Sequence, residues 1–153
     1  PKLVYGVNNT FAYKNWNLTM FIQGNVGNKI MNSTRAQYSA QSLLSGGKNV
    51  LKSALADPLW QHDPNYFIPS DKYLENGSYL RLSTLSLAYT FTNLKGWLHA
   101  LQVYATAKNV FTITSYTGLD PEVELGGTEP GLDRRESFYP HTRSLMLGLK
   151  VNF

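Results

Sequence analysis

Apolar and polar residues alternate with a period of two in five separate runs of this chain, the pattern of extended strands that present one apolar face. In the last run, 143–153, Leu145, Leu147, Leu149, Val151 and Phe153 fall on one side, and Ser144, Met146, Gly148, Lys150 and Asn152 on the other. Leu3 to Lys14 places Tyr5, Val7, Phe11 and Tyr13 on one face, interrupted by Asn9, against Gly6, Asn8, Thr10, Ala12 and Lys14. Trp16 to Val26 follows, with Trp16, Leu18, Met20, Ile22, Gly24 and Val26 opposing Asn17, Thr19, Phe21, Gln23 and Asn25. Asn15 alone separates these two runs, which predicts a hairpin although the Asn-Gly pair of a tight turn is missing.

From Gly27 to Gly77 the alternation stops. Short helices are predicted within Ser33–Leu44 and Asn49–Leu55, divided by Gly46-Gly47, and Asp57-Pro58 and Asp63-Pro64 predict irregular, extended chain after them. A connection this long in a compact domain reads as a functional loop. Ser78 to Phe91 resumes the alternation, but Leu80 and Leu82 stand in one phase and Leu85, Leu87, Tyr89 and Phe91 in the other. Both phases cannot share a face of a regular strand, so Ser83-Thr84 is expected to mark a β-bulge or the point where the strand leaves a membrane. Thr92 to Gly96 reads as a turn. Leu98 to Phe111 sets Leu101, Val103, Ala105 and Ala107 against Gln102, Tyr104, Thr106 and Lys108, and Thr112 to Tyr139, rich in Gly, Pro and acidic residues, is a second long loop.

The fold class predicted is all-β: antiparallel strands, joined by short, long, short and long connections. With 42% hydrophobic but only 16% charged residues, the chain suits a transmembrane barrel, in which lipid-facing and lumen-facing residues alternate and cancel in any average. No window approaches the roughly 20 apolar residues of a spanning helix. Barrels of the outer membrane have short periplasmic turns and long outer loops, so connection lengths place 27–77 and 112–139 outside. Single-chain barrels need about 8 strands or more, and an open sheet exposes two unpaired edges. The chain is therefore expected to be a wall of a larger barrel, and its opening at Pro1 without an initiator Met suggests a piece of a longer protein. A formal charge of +4 with scattered Lys and Arg shows no nucleic-acid footprint, and the absence of Cys excludes disulfides and thiolate metal sites.

An aromatic terminal residue such as Phe153 resembles the closing strand of bacterial outer-membrane barrels. Three stretches together resemble the carboxyl-terminal end of SusC/RagA-type TonB-dependent outer-membrane transporters: Asn76 to Phe91, Val103 to Val123, and Tyr139-Pro140 through Arg143 to Phe153. Tyr116-Thr-Gly-Leu-Asp-Pro-Glu-Val123 is the most specific of them, and Tyr5 to Ile30 resembles the strand pair before the family's large loop. The resemblance implies that residues 1–153 form the last five strands of a plugged barrel of about 22 strands. The amino-terminal plug and the TonB-contacting box have no match in this sequence. By the same resemblance the parent protein imports glycans or, in some members, peptides across the bacterial cell outer membrane. Its implied partners are a SusD-like lipoprotein at the outer mouth, the TonB complex through the unmatched amino-terminal part, the oligosaccharide or peptide substrate, and outer-membrane lipid. No cofactor and no enzymatic activity are implied.

Candidate binding residues fall in the two predicted outer loops: Trp60, Tyr66, Tyr116, Asp120, Glu122, Arg134 and Arg135. Trp60, Tyr66 and Phe67 suit stacking on sugar rings, although aromatic residues of long loops commonly pack the loop onto itself. Asp120, Glu122, Glu124, Glu129, Asp133 and Glu136 crowd one loop but lack the Asp-x-Asp-x-Asp-Gly spacing of a calcium loop, so no metal site is assigned. Asp120-Pro121-Glu122 reads as a turn in which the Asp side chain bonds nearby backbone. His62, His99 and His141 have no paired ligand spacing, and no nucleophile motif accompanies them. Tyr13, Trp16, Tyr89 and Trp97 gather at the two short turns, as an interfacial aromatic girdle would. The competing class is a soluble β-sandwich, a carbohydrate-binding or adhesin module, which would need turn signals about every 8–12 residues and meets two far longer gaps.

Overall fold

The computed structural model describes residues 1–60, 62, 68, 70–92, 94, 98–123, 131–133 and 139–153. In chain order the elements are β1 (Leu3–Tyr13), β2 (Trp16–Val26), β3 (Lys29–Met31), α1 (Ser33–Tyr38), α2 (Ser42–Ser45), α3 (Lys52–Leu55), a 3-10 turn (Asp71–Tyr73), β4 (Leu74–Asn76), β5 (Tyr79–Thr92), β6 (Ala100–Thr114) and β7 (Ser144–Asn152). They form two compact units, one from residues 2–26, 79–114 and 141–153, the other from 27–78 and 115–140. Among the described residues no helix is long and apolar enough to cross a membrane.

The first unit is a five-stranded antiparallel sheet in the order β1-β2-β5-β6-β7. Tyr13 pairs with Trp16, leaving Lys14-Asn15 as the turn, and Lys14 supplies the positive φ of 52° that a tight hairpin requires at this point. Paired residues of neighbouring strands point to the same side, so the register sorts side chains into two faces. One face carries Val7, Phe11, Leu18, Ile22, Leu85, Leu87, Val103, Ala105, Leu147 and Leu149 along the rows Val7–Ile22, Phe11–Leu18–Leu87–Ala105–Leu147 and Val103–Leu149. The other carries Thr10, Thr19, Ser86, Thr106, Thr90, Gln102 and Lys150. Hydroxyls pair across it: Ser86 Oγ and Thr106 Oγ1 lie 2.8 Å apart, and Gln102 Nε2 donates to Thr90 Oγ1 at 3.1 Å.

The phase conflict in β5 is resolved by a bulge. Phe21 pairs with Thr84 and Ile22 with Leu82, so Ser83 is an extra residue with no partner in β2. On the other side Leu82 pairs with Phe111 and Thr84 with Lys108, so β6 places two residues opposite Ser83, with Asn109 at φ 50°. One inserted residue reverses the side to which every later side chain points. Leu80 and Leu82 therefore join Leu85 and Leu87 on the apolar face, and Phe111 and Ile113 join Ala105 and Ala107. The bulge expected at Ser83-Thr84 is therefore present, and it brings both leucine pairs to one face.

Observed strand limits differ from the predicted ones by a few residues. β6 runs from Ala100 to Thr114 rather than from Leu98 to Phe111, because Thr112, Ile113 and Thr114 continue the ladder against Arg81, Leu80 and Tyr79. Trp97 lies outside the described residues. Of the other three, Tyr13 pairs with Trp16, whose ring stands 4.7 Å from that of Tyr89 edge to face, and Phe91, not among the predicted four, stands at the same distance from Tyr89.

Candidate functional site

The second unit corresponds to the two long loops and is more ordered than a structureless connection. Two segments absent from the predicted elements, β3 and β4, pair antiparallel through Lys29–Asn76, Ile30–Glu75 and Met31–Leu74. The short helices expected within Ser33–Leu44 and Asn49–Leu55 are α1 and α2, the latter reaching Ser45, and α3, which covers Lys52–Leu55 alone. From the later loop, Gly131–Asp133 lies beside β3: Met31 N donates to Gly131 O at 2.8 Å and Asp133 N to Met31 O at 3.1 Å. Gly131 has φ +78°, and a Cβ there would stand 2.8 Å from Lys29 O, so only glycine suits that approach.

Trp60, Tyr116 and Asp120 are buried, at 6%, 6% and 5% exposure. Trp60 packs with Ala54, Val50 and Leu51, and its Nε1 donates to Ser39 O at 2.7 Å, while Gln41 Nε2 donates to its carbonyl. Tyr116 packs with Ile30 and Val123, and its hydroxyl donates to Asp133 Oδ2 at 2.5 Å. Burial, followed by the hydrogen bond and charge of Asp133, pushes the Tyr116 phenol well above its ordinary value, so it remains a donor at any physiological pH. Asp120 Oδ1 accepts from Glu122 N at 2.9 Å, the turn that Asp-Pro-Glu predicts. Glu122 is half-buried. These side chains shape the loop unit from within. Tyr66, Arg134 and Arg135 lie outside the described residues.

The polar cluster of this unit involves residues that sequence reasoning did not select. Asn32 caps α1, its Oδ1 accepting from Arg35 N at 2.8 Å. Its Nδ2 donates to Glu75 Oε1 at 3.1 Å, and Arg35 Nη1 reaches the same oxygen at 3.0 Å. Thr117 closes the cluster, donating from its backbone N–H to Glu75 Oε2 at 2.8 Å and from its hydroxyl to Glu75 at 2.8 Å. Burial pushes the Glu75 carboxyl up, but the donors from Thr117, Arg35 and Asn32 outweigh it and hold the carboxyl below its ordinary 4.5. One signal was available in advance: an Asn directly before a helix-compatible run is a capping residue. Nothing local announces Glu75, which meets Asn32 and Thr117 only after folding.

A carboxyl whose folded pKa is depressed contributes stability that is full above its unfolded value and is lost as pH falls through the folded one. Amides of Ser33–Tyr38 in the full-length protein are therefore expected to lose hydrogen-exchange protection below pH 4.5. Glu75→Gln should lower that protection at neutral pH and remove its dependence on acid. Equal protection of the wild type on both sides of that pH would remove Glu75 as the centre of the cluster.

Asn32, Thr34, Arg35, Leu51, Ser53, Thr117, Gly118 and Leu119 line a cleft of about 390 Å³ beside this cluster. On the sheet, a shallow apolar depression is lined by Trp16, Leu87, Tyr89, Phe91, Val103 and Leu147. One unit thus presents a polar and aliphatic cleft, the other an apolar surface.

No family model matches the chain. It is 30% identical over 175 residues to TonB-dependent receptor P3 of Formosa agariphila, an alignment spanning 100% of this chain and 16% of that protein. It is 30% identical over 160 residues to TonB-dependent receptor SusC of Bacteroides thetaiotaomicron, spanning 99% of this chain and 15% of that protein. Among solved structures, the RagAB peptide importer in its closed-closed state superposes with a TM-score of 0.77 at 23% identity, over 98% of this chain and 17% of that one. The open-open state gives 0.67 at 24% identity over the same shares of the two chains, 98% and 17%. The chain thus spans less than a fifth of the length of the relatives it matches.

Proposed function

This chain is homologous to part of the TonB-dependent receptors of the SusC/RagA type, transporters of the bacterial outer membrane rather than enzymes, and from it we propose the wall and outer loops of an importer of oligomeric nutrients. Residues 1–153 are the carboxyl-terminal strands of its barrel. The apolar face of the sheet meets outer-membrane lipid, and the polar face lines the lumen. The observation that carries this reading is the exposure of Leu145, Leu147 and Leu149, at 73%, 80% and 67%, on a face that stays apolar across all five strands. Such a surface needs a cover, and hydrocarbon suits it. A β-sandwich would bury that face under a second sheet. Edge strands β1 and β7 each have one partner in the sheet, which suits continuation into neighbouring barrel strands.

Both long connections leave the sheet at one end, where Asn25, Tyr79 and Thr114 lie in register, and the Lys14-Asn15 turn lies at the other. With short turns at the periplasm, the loop unit belongs at the outer mouth and Trp16, Tyr89 and Phe91 at the inner interface of the membrane. There the loop unit meets a SusD-like lipoprotein, and the TonB complex acts through the amino-terminal part of the full-length receptor. The transported oligomer is a glycan or a peptide; the superposed RagAB structures are those of a peptide importer. Trp60, Tyr116, Asp120 and Glu122 support from within the loop surface that this traffic touches.

Uptake of labelled oligopeptides and oligosaccharides by cells expressing the full-length receptor tests the reading. Uptake should require TonB, and uptake that persists at full rate without TonB overturns it. Phe153 supplies a separate check. If the terminal aromatic belongs to the assembly signal of the barrel, its deletion should reduce the inserted receptor severalfold at unchanged synthesis, measured in outer-membrane fractions. Insertion at the wild-type level would make Phe153 an ordinary apolar side chain.

A further inference from the structure

The cleft of the loop unit is lined in part by Arg35, Leu51, Ser53, Thr117 and Leu119, and its volume of about 390 Å³ suits several residues of an extended oligomer better than a single ion. Arg35, its cation among the described residues, is held in advance. Arg35 Nη1 is bonded to Glu75, and the guanidinium carbon stands 5.8 Å from the centre of the Tyr73 ring, a cation–π distance. Asn32 fixes the backbone from which Arg35 projects. A guanidinium has five N–H donors in a planar fork, and among the described residues Arg35 bonds side-chain acceptors through Nη1. The Arg35 side chain is 34% exposed against 11% for Glu75, so the positive member of the pair faces outward. Glu75 is occupied by Thr117, Asn32 and Arg35. Leu51, half-buried, and Leu119, 67% exposed, add aliphatic surface beside Thr34, Ser53 and Thr117. Among the described residues no aromatic ring lines the cleft.

We infer that this cleft is a subsite for a short acidic peptide, which places a carboxylate on the outward edge of the Arg35 fork and a neighbouring aliphatic side chain between Leu51 and Leu119. The inference rests on the importer reading and names a substrate class for it. A preorganised guanidinium pairs with a carboxylate through two parallel N–H···O bonds, and holding it in place beforehand reduces the entropy lost on binding. Ser53 and Thr117 supply short polar groups in reach of the peptide backbone. A uronate-containing oligosaccharide offers the same carboxylate without the aliphatic arm that Leu51 and Leu119 would receive.

Binding to the purified full-length receptor decides this, read as fluorescence anisotropy with three labelled tetrapeptides and one labelled trigalacturonate. The reference peptide carries adjacent Asp and Leu; the others replace Asp with Asn, or Leu with Gly. The reference should bind about tenfold tighter than either analogue, the scale of one charge-assisted pair or one buried aliphatic side chain. Arg35→Gln should abolish the preference for Asp over Asn. Leu119→Glu should weaken the reference peptide and Leu119→Lys tighten it, and both changes sit at an exposed position that the fold tolerates. Equal affinity for the Asp and Asn peptides, the same response to Glu and Lys at 119, or tighter binding of trigalacturonate each overturns the inference. Failure of the two readings is separable: TonB-dependent uptake without acidic selectivity removes the subsite alone, whereas absent uptake of any oligomer removes the importer while binding still decides the cleft.

Discussion

Leu147→Arg is expected to destabilise the refolded full-length receptor by about 2–4 kcal/mol, while Met146→Arg, one residue earlier, costs much less. Both side chains lie in β7, paired with Ala105 and Thr106 respectively, so they share strand, edge and depth and differ in the face they occupy. Leu147 is on the face whose rows run through Leu87 and Leu18, and Met146 on the face with Ser86 and Thr19. If hydrocarbon covers the first face, a guanidinium there must abandon its hydration or distort the bilayer. If the second lines an aqueous lumen, the same group remains solvated. Urea unfolding from lipid vesicles gives both values. Equal costs would remove the membrane assignment of the sheet, because a sheet in water exposes the two positions alike.

Gly24→Ala is expected to cost about 3 kcal/mol, at the upper end of what overpacking does. A Cβ at Gly24 would stand 2.1 Å from the carbonyl oxygen of Tyr79 and 2.5 Å from the hydroxyl of Tyr5, which itself donates to that carbonyl at 3.4 Å. The first of these atoms is backbone of the β2–β5 ladder, so relief requires β2 and β5 to move apart. Gly148→Ala meets only the Tyr104 ring, at 2.2 Å, and a ring at the end of its side chain can turn away. Gly6→Ala meets the Phe21 ring at 3.4 Å, near ordinary contact, and should change little. The expected order of unfolding free energies is therefore wild type and Gly6→Ala together, then Gly148→Ala, then Gly24→Ala. A Gly24→Ala protein as stable as Gly6→Ala would show that the two strands separate at no cost.

The strands and the candidate site differed in how far they were legible in the sequence. A strand facing two different media writes its pattern locally, because each residue's side is set by its own parity. Trp16–Val26 and Ser144–Asn152 could thus be read almost to their ends. The loop unit has no such rule. Lys29–Met31 and Leu74–Asn76 are too short to show alternation, and they are strands because they meet each other. Trp60 and Tyr116 were selected by residue type, and folding surrounds them with Ala54, Leu51, Ile30 and Val123, for Trp60 the inward packing that aromatic residues of long loops commonly take.

Alternation alone determined that the chain builds a two-faced antiparallel sheet with two long connections, and its loop lengths determined which ends those connections share. Tertiary structure decided what the local pattern left open. The change of phase at Ser83-Thr84 announced a bulge or a membrane exit, and only the pairing with β2 and β6 decided for a bulge that carries Leu80 and Leu82 to the apolar face. Glu75 became the centre of the loop unit because the donors of Asn32, Arg35 and Thr117, distant in sequence, satisfy a carboxylate whose pKa burial by itself raises. Arg35 became the outward cation of a cleft for the same reason: its position depends on which groups already hold its other side, and that is a property of packing rather than of sequence.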